Sequence, residues 1–286
     1  MFKIALCQMA TFMDKDDNKA KAKKLVEKAA ANGAQVIVLP EMWNTPYSNN
    51  YFRPFAEPQD GPTVRFLSKL AKENDIYLIG GSISELDDGK VYNTSYSFNR
   101  EGEIIGKHRK VHLFDIDVEG GIRFMESDTL TPGESTTVID TEYGKIGVAI
   151  CYDVRFPELS RNMALAGAKL IVLPAAFNMT TGPAHWDLTM RARALDNQVY
   201  FAACSPARDT DGVYVAYGNS CIATPWGEFA AHAEEKETII YGDIDFDYVD
   251  GIRQQLPLLK HRNWVTPALT STTRRMTSAS LMARFT

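Results

Sequence analysis

NGAQVIVLPE (residues 32–41) is the stretch that decides the fold, because most of it recurs in similar form as AGAKLIVLP (166–174). Each copy places a glycine just past a helical pattern, then a short apolar run that fits a buried strand, then a proline that ends it. The repetition predicts two similar halves that arose by internal duplication. The alternative is that two βα units converged on a common strand composition, and the predicted layout is the same in both cases.

Short apolar runs alternate with helical patterns on both sides of the repeated stretch, which is typical of an α/β fold. The first half predicts strands at 3–9, 36–40 and 76–83 with helices near 16–32 and 62–74; the second predicts strands at 145–151, 170–174 and 199–205 with helices near 157–166 and 185–197. Between the halves, the segments 91–99 and 103–111 predict an antiparallel hairpin. After residue 214 we expect further strands and a helix stopped by Pro257.

No Ser/Gly-rich linker or low-complexity tract divides the chain, so we expect one compact domain with mixed sheets. We place this domain at residues 1–264. The weakly periodic segment 265–286 is predicted to be a C-terminal tail that packs on the body or on a neighbouring subunit.

Composition argues against several classes of protein. The 31 Lys and Arg against 36 Asp and Glu give a formal charge of −5 without a basic block, so nucleic acid is not an expected partner. No apolar run approaches the roughly 20 residues that span a bilayer, and the N-terminus lacks the pattern of a secretory signal, so we expect a cytoplasmic protein without a membrane partner. The four cysteines are widely spaced, which predicts reduced thiols and neither a zinc site nor a disulfide framework.

Two residues with reactive side chains follow predicted strands. Glu41 comes directly after VIVLP, and Cys151 ends the predicted strand KIGVAIC before a helix that Pro157 opens. Ligands in sheets with parallel strands gather beyond the carboxyl ends of those strands. If the halves are related, these ends meet in one crevice and bring a base next to a nucleophile.

The segment CYDVRFPEL (151–159) predicts a strand, a turn and a helix, which would expose the thiol and surround it with backbone N–H groups. A free thiol has a pKa near 8.5 and needs a base or a cation to react at neutral pH. Lys110 is a candidate cation, although alone it also fits an ordinary solvated lysine. Glu126 is a second candidate carboxylate and alone also fits a loop or capping residue.

Histidine is a less fitting partner for the thiol, because none of the five histidines lies in a papain-like context. His108 and His112 are close to Lys110 in sequence. They are interpreted either as residues that line its loop or as surface or structural histidines.

Four segments in this order resemble the nitrilase superfamily of carbon–nitrogen hydrolases: VIVLPEMWNTPY, GKHRKVHLFDID, FMESDTLTPG and VAICYDVRFPE. Matching segments run from about residue 3 to 264. Within the superfamily, RKVHLFDID, CYDVRFPEL, FNMTTGPAHW, DNQVYFAACSPARD and PWGE resemble the Nit2-type ω-amidases, which cleave the terminal amide of 2-oxo dicarboxylic acid monoamides such as 2-oxoglutaramate and 2-oxosuccinamate.

The resemblance implies an α-β-β-α sandwich, in which two mixed sheets are stacked and flanked by helices. It also implies roles for individual residues. Glu41 would be the general base, Cys151 the nucleophile, and Lys110 with the backbone N–H of Tyr152 would stabilise the oxyanion. Glu126 would orient Lys110 and the incoming amide, ammonia would leave, and water would resolve a thioester. No metal or other cofactor is expected.

A substrate of this kind carries a carboxylate, and a guanidinium binds a carboxylate better than an ammonium does. Arg155 is the natural candidate, with a salt bridge to Asp153 or Glu158 as its alternative interpretation. The resemblance adds Phe177 to this pocket, with Tyr47 and Thr181 as further contributors. We therefore expect a small-molecule amide with a carboxylate as the substrate.

Other functions stay open at this point. Another amidase of the superfamily would act on deaminated glutathione, an N-carbamoyl amino acid or an aliphatic amide by the same mechanism, and a true nitrilase fits the CYDVRFPE segment less well. A non-catalytic scaffold or a thiol redox sensor would not need Glu41, Lys110 and Glu126 together. The resemblance further implies a homodimer or a larger homo-oligomer, with the helix after Cys151 and the C-terminal tail as contact surfaces.

Overall fold

A computed structural model describes residues 1–120 and 123–263, so the predicted tail at 265–286 lies outside the described residues. In chain order the strands are β1 (Phe2–Gln8), β2 (Val36–Val38), β3 (Tyr77–Ile79), β4 (Ile83–Asp87), β5 (Lys90–Phe98), β6 (Ile104–Arg109), β7 (Asp115–Asp117), β8 (Arg123–Met125), β9 (Thr137–Thr141), β10 (Gly144–Val148), β11 (Leu170–Pro174), β12 (Tyr200–Cys204), β13 (Cys221–Ala223), β14 (Phe229–His232) and β15 (Thr238–Ile244). The helices are α1 (Lys15–Ala31), α2 (Asn49–Phe52), α3 (Pro62–Glu73), α4 (Pro157–Leu165), α5 (Gly182–Asn197) and α6 (Phe246–Gln255).

The two halves use the same order of elements. β1, β2 and β3 run parallel at the centre of one sheet, whose order is β15-β1-β2-β3-β5-β4 with β6 paired to β5. β10, β11 and β12 run parallel at the centre of the other, whose order is β14-β13-β12-β11-β10-β9. Antiparallel strands complete both sheets, so the predicted mixed sheets and the predicted hairpin of β5 with β6 are confirmed.

Because side chains alternate along the central strands, one face of each sheet packs against the other sheet and the opposite face packs against helices. In β1, Ile4 and Leu6 join an apolar cluster with Val148 and Val172 of the second sheet. Ala5, one position along, faces the opposite way and packs with the residues of α1 and α3. A matching cluster lies between the second sheet and helices α4 and α5. The layers are therefore helix, sheet, sheet and helix, which confirms the predicted α-β-β-α sandwich.

Local sequence explains where helix α1 begins and ends. The Asp14 side chain accepts hydrogen bonds from the first backbone N–H groups of α1, and Gly33, in a left-handed conformation with φ of 81°, follows its end. Ala22, Val26 and Ala29 recur at helical spacing and form the buried face. None of the helices in the described ranges combines the length and the apolar character needed to cross a membrane.

The predicted strand at 76–83 is wrong as one element, because Gly80 and Gly81 separate β3 from β4. Gly81 has a φ of 63°, and a Cβ atom there would fall against the carbonyl oxygen of Pro40. The Trp43 indole N–H donates to the Gly80 carbonyl at 2.8 Å. The glycine pair thus lets the loop that carries Glu41 pack closely against the end of β3.

Candidate active site

The carboxyl ends of the central strands meet where the two sheets face each other. Glu41 follows β2 and is 1% exposed, and its Oε2 accepts a hydrogen bond from the backbone N–H of Ala176, just after β11, at 2.8 Å. Cys151 is 3% exposed and follows β10 after Ala149 and Ile150, so the strand predicted at 145–151 ends earlier than expected. The expectation that both strand ends share one crevice agrees with this arrangement.

Lys110 is fully enclosed at the end of β6 rather than solvated, with 1% exposure. Its Nζ donates to Glu41 Oε1 at 3.0 Å and to Glu126 Oε1 at 3.0 Å, and it lies 2.9 Å from Glu126 Oε2. The backbone N–H of Lys110 donates to the Asn93 carbonyl at 2.8 Å. A buried ammonium between two carboxylates therefore forms the centre of the site.

Glu126 and Tyr47 complete this buried cluster. Glu126 is 0% exposed, and its Oε2 accepts from the Phe114 backbone N–H at 2.7 Å. The Tyr47 hydroxyl donates to Glu126 Oε1 at 2.5 Å and lies 3.4 Å from Glu41 Oε1. The structure thus places Tyr47, predicted as a substrate-binding residue, in direct contact with both carboxylates.

Cys151 stands in a strained turn, the 3₁₀ segment Cys151–Arg155, with a φ of 45°. A non-glycine residue in this left-handed region costs energy that the surrounding structure must supply, and such residues cluster at functional sites. Tyr152 follows directly, and its half-buried ring packs edge-on against Phe114. The turn fixes the direction in which the Cys151 side chain leaves the main chain.

Electrostatics set the resting protonation of the cluster. Burial raises the pKa of Glu41, the Lys110 ammonium lowers it, and the Glu126 carboxylate raises it again. The net result is a pKa above the ordinary value for a glutamate. Burial lowers the pKa of Lys110, but Glu126 and Glu41 raise it by more, so the lysine stays ionised. Burial and then Glu41 raise the pKa of the Cys151 thiol well above its ordinary value, against the opposing effect of Lys110. The thiol therefore rests protonated beside a carboxylate that can take its proton.

A cavity of about 240 Å³ opens onto this cluster. Glu41 and Tyr47 line it, and so does Tyr214, whose hydroxyl donates to the Ala176 carbonyl at 2.6 Å. This volume lies below the roughly 300–1,000 Å³ of sites for drug-sized ligands. The cavity fits a small molecule.

The remaining predicted substrate residues, Arg155, Phe177 and Thr181, do not line that cavity. The Arg155 guanidinium stacks 4.8 Å from the Phe177 ring centroid, and its Nη1 lies 3.1 Å from Nδ1 of His185. Thr181 is held by Asn178, whose Oδ1 accepts from its N–H at 2.9 Å. The polar side chain that Arg155 contacts among the described residues is thus His185, whereas the sequence suggested Asp153 or Glu158 as alternatives.

Two residues of the site were missed by the sequence analysis. Asn93 Nδ2 donates to Glu41 Oε1 at 2.8 Å, and its signal was a run of polar residues, NTSYS, inside a strand that is almost wholly buried. Asp153 was interpreted only as a partner for Arg155. It instead bonds His108 and His112, which makes both histidines part of the structure behind Lys110.

Comparison with known proteins reveals similarity along most of the chain. A sequence model of the carbon–nitrogen hydrolase family matches residues 3–254. The chain is 54% identical over 261 residues to omega-amidase NIT2-B of Xenopus laevis, covering 91% of this chain and 95% of that protein. It is 52% identical over 261 residues to omega-amidase NIT2 of Mus musculus, again covering 91% of this chain and 95% of that protein. The crystal structure of Saccharomyces cerevisiae Nit3, a member of branch 10 of the nitrilase superfamily, superimposes with a TM-score of 0.85 at 46% identity over 92% of this chain and 97% of that one.

Proposed function

Because this chain belongs to the carbon–nitrogen hydrolase family, we propose that it is an ω-amidase that hydrolyses the terminal amide of 2-oxo dicarboxylic acid monoamides, such as 2-oxoglutaramate and 2-oxosuccinamate. The products are the 2-oxo acid and ammonia. The resemblance to the nitrilase superfamily is confirmed, and the chain is a cysteine-dependent amidase. The observation that carries the proposal is the buried Glu41–Lys110–Glu126 cluster against Cys151.

Glu41 acts as the general base in the first step. A carboxylate with a raised pKa accepts a proton more readily than an ordinary one, and Glu41 and the Cys151 thiol each shift the pKa of the other. As Glu41 takes the proton, the sulfur attacks the amide carbon and the carbonyl oxygen becomes an oxyanion. The Lys110 ammonium and the backbone N–H of Tyr152 stabilise that oxyanion.

Glu126 keeps Lys110 in place through both of its carboxylate oxygens and orients the incoming amide. Collapse of the tetrahedral intermediate breaks the carbon–nitrogen bond, and the proton held by Glu41 goes to the departing nitrogen, which leaves as ammonia. A thioester on Cys151 remains. Glu41 then accepts a proton from water, the resulting hydroxide attacks the thioester, and the acid leaves as Cys151 regains its proton.

Arg155 binds the far carboxylate of the substrate in this proposal. Its Nε is buried without a hydrogen-bond partner among the described residues, and its guanidinium carbon lies 4.8 Å from the centre of the Phe177 ring. A planar guanidinium suits a carboxylate because it donates two parallel hydrogen bonds. Phe177, Tyr47 and Thr181 shape the surroundings.

Ammonia release from a panel of amides tests the substrate. We expect faster hydrolysis of 2-oxoglutaramate than of deaminated glutathione, an N-carbamoyl amino acid or a neutral aliphatic amide. Arg155→Met should lower kcat/KM for 2-oxoglutaramate by about ten- to a hundredfold, because hydrogen bonds to a charged group contribute about 1.5–3 kcal/mol. Turnover of the neutral amide should change little. Preference for another amide, or equal losses on both substrates, would assign the chain to another amidase branch of the same family.

We further propose a cytoplasmic homodimer or larger homo-oligomer. The four cysteines are buried and unpaired, as expected in a reducing compartment. Leu165 of α4 and Leu188 and Leu195 of α5 are 48%, 71% and 41% exposed on neighbouring helices, and such a surface suits a partner copy. Size-exclusion chromatography with light scattering tests this, and a monomer at working concentration would contradict it.

A further inference from the structure

Asp153 is a buried carboxylate that the proposed chemistry does not use. It is 0% exposed, belongs to the same turn as Cys151, and accepts five hydrogen bonds. The donors to Oδ1 are Val111 N at 3.2 Å, His112 N at 2.9 Å and His112 Nδ1 at 2.8 Å; those to Oδ2 are His108 Nε2 at 2.9 Å and Ile150 N at 3.1 Å. One side chain thus joins the chain next to Lys110 to the chain next to Cys151.

Asp153 holds the main chain just after Lys110, where the regular pairing of β6 with β5 has ended. The backbone N–H of Lys110 is bonded to the strand β5, but Val111 and His112 lie beyond β6 in an irregular segment. Both of their N–H groups donate to Oδ1 of Asp153. The residues that follow Lys110 are therefore fixed by a carboxylate from another part of the chain.

On the cysteine side, Asp153 closes the turn reciprocally. The Ile150 N–H donates to Asp153 Oδ2, and the Asp153 N–H donates to the Ile150 carbonyl at 3.0 Å. Cys151 lies between these residues in its left-handed conformation. The two hydrogen bonds stabilise a backbone geometry that a non-glycine residue rarely adopts.

The two imidazoles that reach Asp153 are themselves fixed. His108 is 0% exposed and its other ring nitrogen lies 3.0 Å from the Thr137 hydroxyl, while the His112 ring stacks 3.6 Å from that of Phe156. Burial raises the pKa of Asp153, but the hydrogen bonds from His108 and His112 lower it by more, so the carboxyl stays ionised. Both oxygens are then available as acceptors throughout the neutral pH range.

We propose that Asp153 is a positioning residue, whose carboxylate sets the placement of the Lys110 ammonium relative to the Cys151 thiol by holding the main chain beside each. The inference rests on the roles proposed above for Lys110 and Cys151. A misplacement of about 1 Å can slow an enzymatic step about a hundredfold.

The variant Asp153→Asn affects the hydrogen bonds to the segment after Lys110 and those to the Cys151 turn differently. An asparagine keeps an acceptor oxygen for Val111 and His112, but its amide N–H₂ faces the Ile150 N–H, so two donors oppose each other. We expect kcat for amide hydrolysis to fall about a hundredfold with little change in KM. The rate at which iodoacetamide alkylates Cys151 should fall as well, and this readout does not depend on turnover.

Glu57→Gln is the matched control. Glu57 is also a buried carboxylate, 6% exposed, and accepts hydrogen bonds from the N–H and the hydroxyl of Thr63, both at 2.7 Å, at the start of α3. Its side-chain partners among the described residues are Thr63 and Lys15, not Lys110 or Cys151. This variant should lose stability but keep kcat and the alkylation rate.

Wild-type kcat in Asp153→Asn, or equal losses of kcat in Asp153→Asn and Glu57→Gln, would overturn the positioning role. If Asp153→Asn does not fold, His112→Phe removes one donor to Oδ1 and keeps the stack on Phe156. A lower kcat at constant KM is then expected, and an unchanged kcat would overturn the proposal. Failure of the proposed function is distinguishable, because it would appear as full amidase activity in Cys151→Ala.

Discussion

Lys110→Met removes the charge at the centre of the site while keeping a side chain of similar length. In the wild type, one ammonium serves two carboxylates that are both fully buried. Removing one partner of a buried ion pair costs about 3–5 kcal/mol, because an uncompensated charge is left in a poorly solvated place. The free energy of unfolding should fall by that amount at neutral pH and above. Amide hydrolysis should fall by about a hundred- to a thousandfold, as for loss of an oxyanion donor.

The sign of the pH dependence follows from Glu41. Its pKa in the folded protein is already above the ordinary value of 4.5, and Lys110 opposes that rise, so removing Lys110 raises the pKa further. A group whose folded pKa is raised has its full stabilising effect below the unfolded pKa and loses it as pH rises through the folded pKa. The stability deficit of Lys110→Met should therefore be smaller near pH 5 than near pH 8.

Guanidinium unfolding followed by circular dichroism at these two pH values measures the deficit. Lys15→Met is the matched control, because Lys15 also pairs with a carboxylate, Glu57 at 2.6 Å, but its side chain is 24% exposed. A pair of that kind contributes about 1 kcal/mol or less. Burial raises the pKa of Glu57, but hydrogen bonds from Lys15 and Thr63 lower it by more, so the wild-type pair is ionised in both conditions and its loss should be small in each. Equal, pH-independent losses in the two variants would refute the description of Lys110 as a buried, doubly paired charge.

Three further perturbations have expected outcomes. Tyr47→Phe removes the hydrogen bond to Glu126, so unfolding free energy should fall by about 1.5–3 kcal/mol together with the rate of ammonia release; unchanged values in both assays would count against a role for this hydroxyl. Burial raises the pKa of Glu85, but hydrogen bonds from Arg109 and Lys107 lower it to about 2. Its contribution is thus present above the unfolded pKa of 4.5 and lost as pH falls toward 2, and an acid titration of stability should show a shallower decline in Glu85→Gln than in the wild type. Gly81→Ala places a Cβ against the Pro40 carbonyl in a left-handed conformation and should cost at least about 1–3 kcal/mol, read from thermal unfolding, whereas wild-type stability would show that the loop carrying Glu41 can yield.

Local sequence patterns predicted the alternation of strands and helices, whereas the α-β-β-α layering was implied by the family resemblance. Alternating apolar residues, glycines after helices and prolines after strands act over a few neighbours, and they located both Glu41 and Cys151. The break at Gly80 and Gly81 was missed because it depends on the approach of the loop at residues 40–43, which no local pattern shows.

The connections within the site could not be predicted from local sequence. Lys110 alone fits a solvated lysine, and its burial follows only when segments far apart in the chain place Glu41 and Glu126 around it. Asp153 was assigned to its sequence neighbour Arg155, yet its partners come from the segment beside Lys110. Arg155, Phe177 and Thr181 stay predictions as substrate-binding residues, since none of them lines the cavity at Glu41.

The covalent state of Cys151 during turnover tests the central claim most directly. Wild-type protein mixed with excess 2-oxoglutaramate, quenched in acid within the first turnover and mapped by mass spectrometry, should carry the acyl group on the peptide that contains Cys151. Cys151→Ala should carry none and release no ammonia while keeping the wild-type circular dichroism spectrum. Ammonia release by Cys151→Ala, or an acyl group on a different residue, would contradict the account.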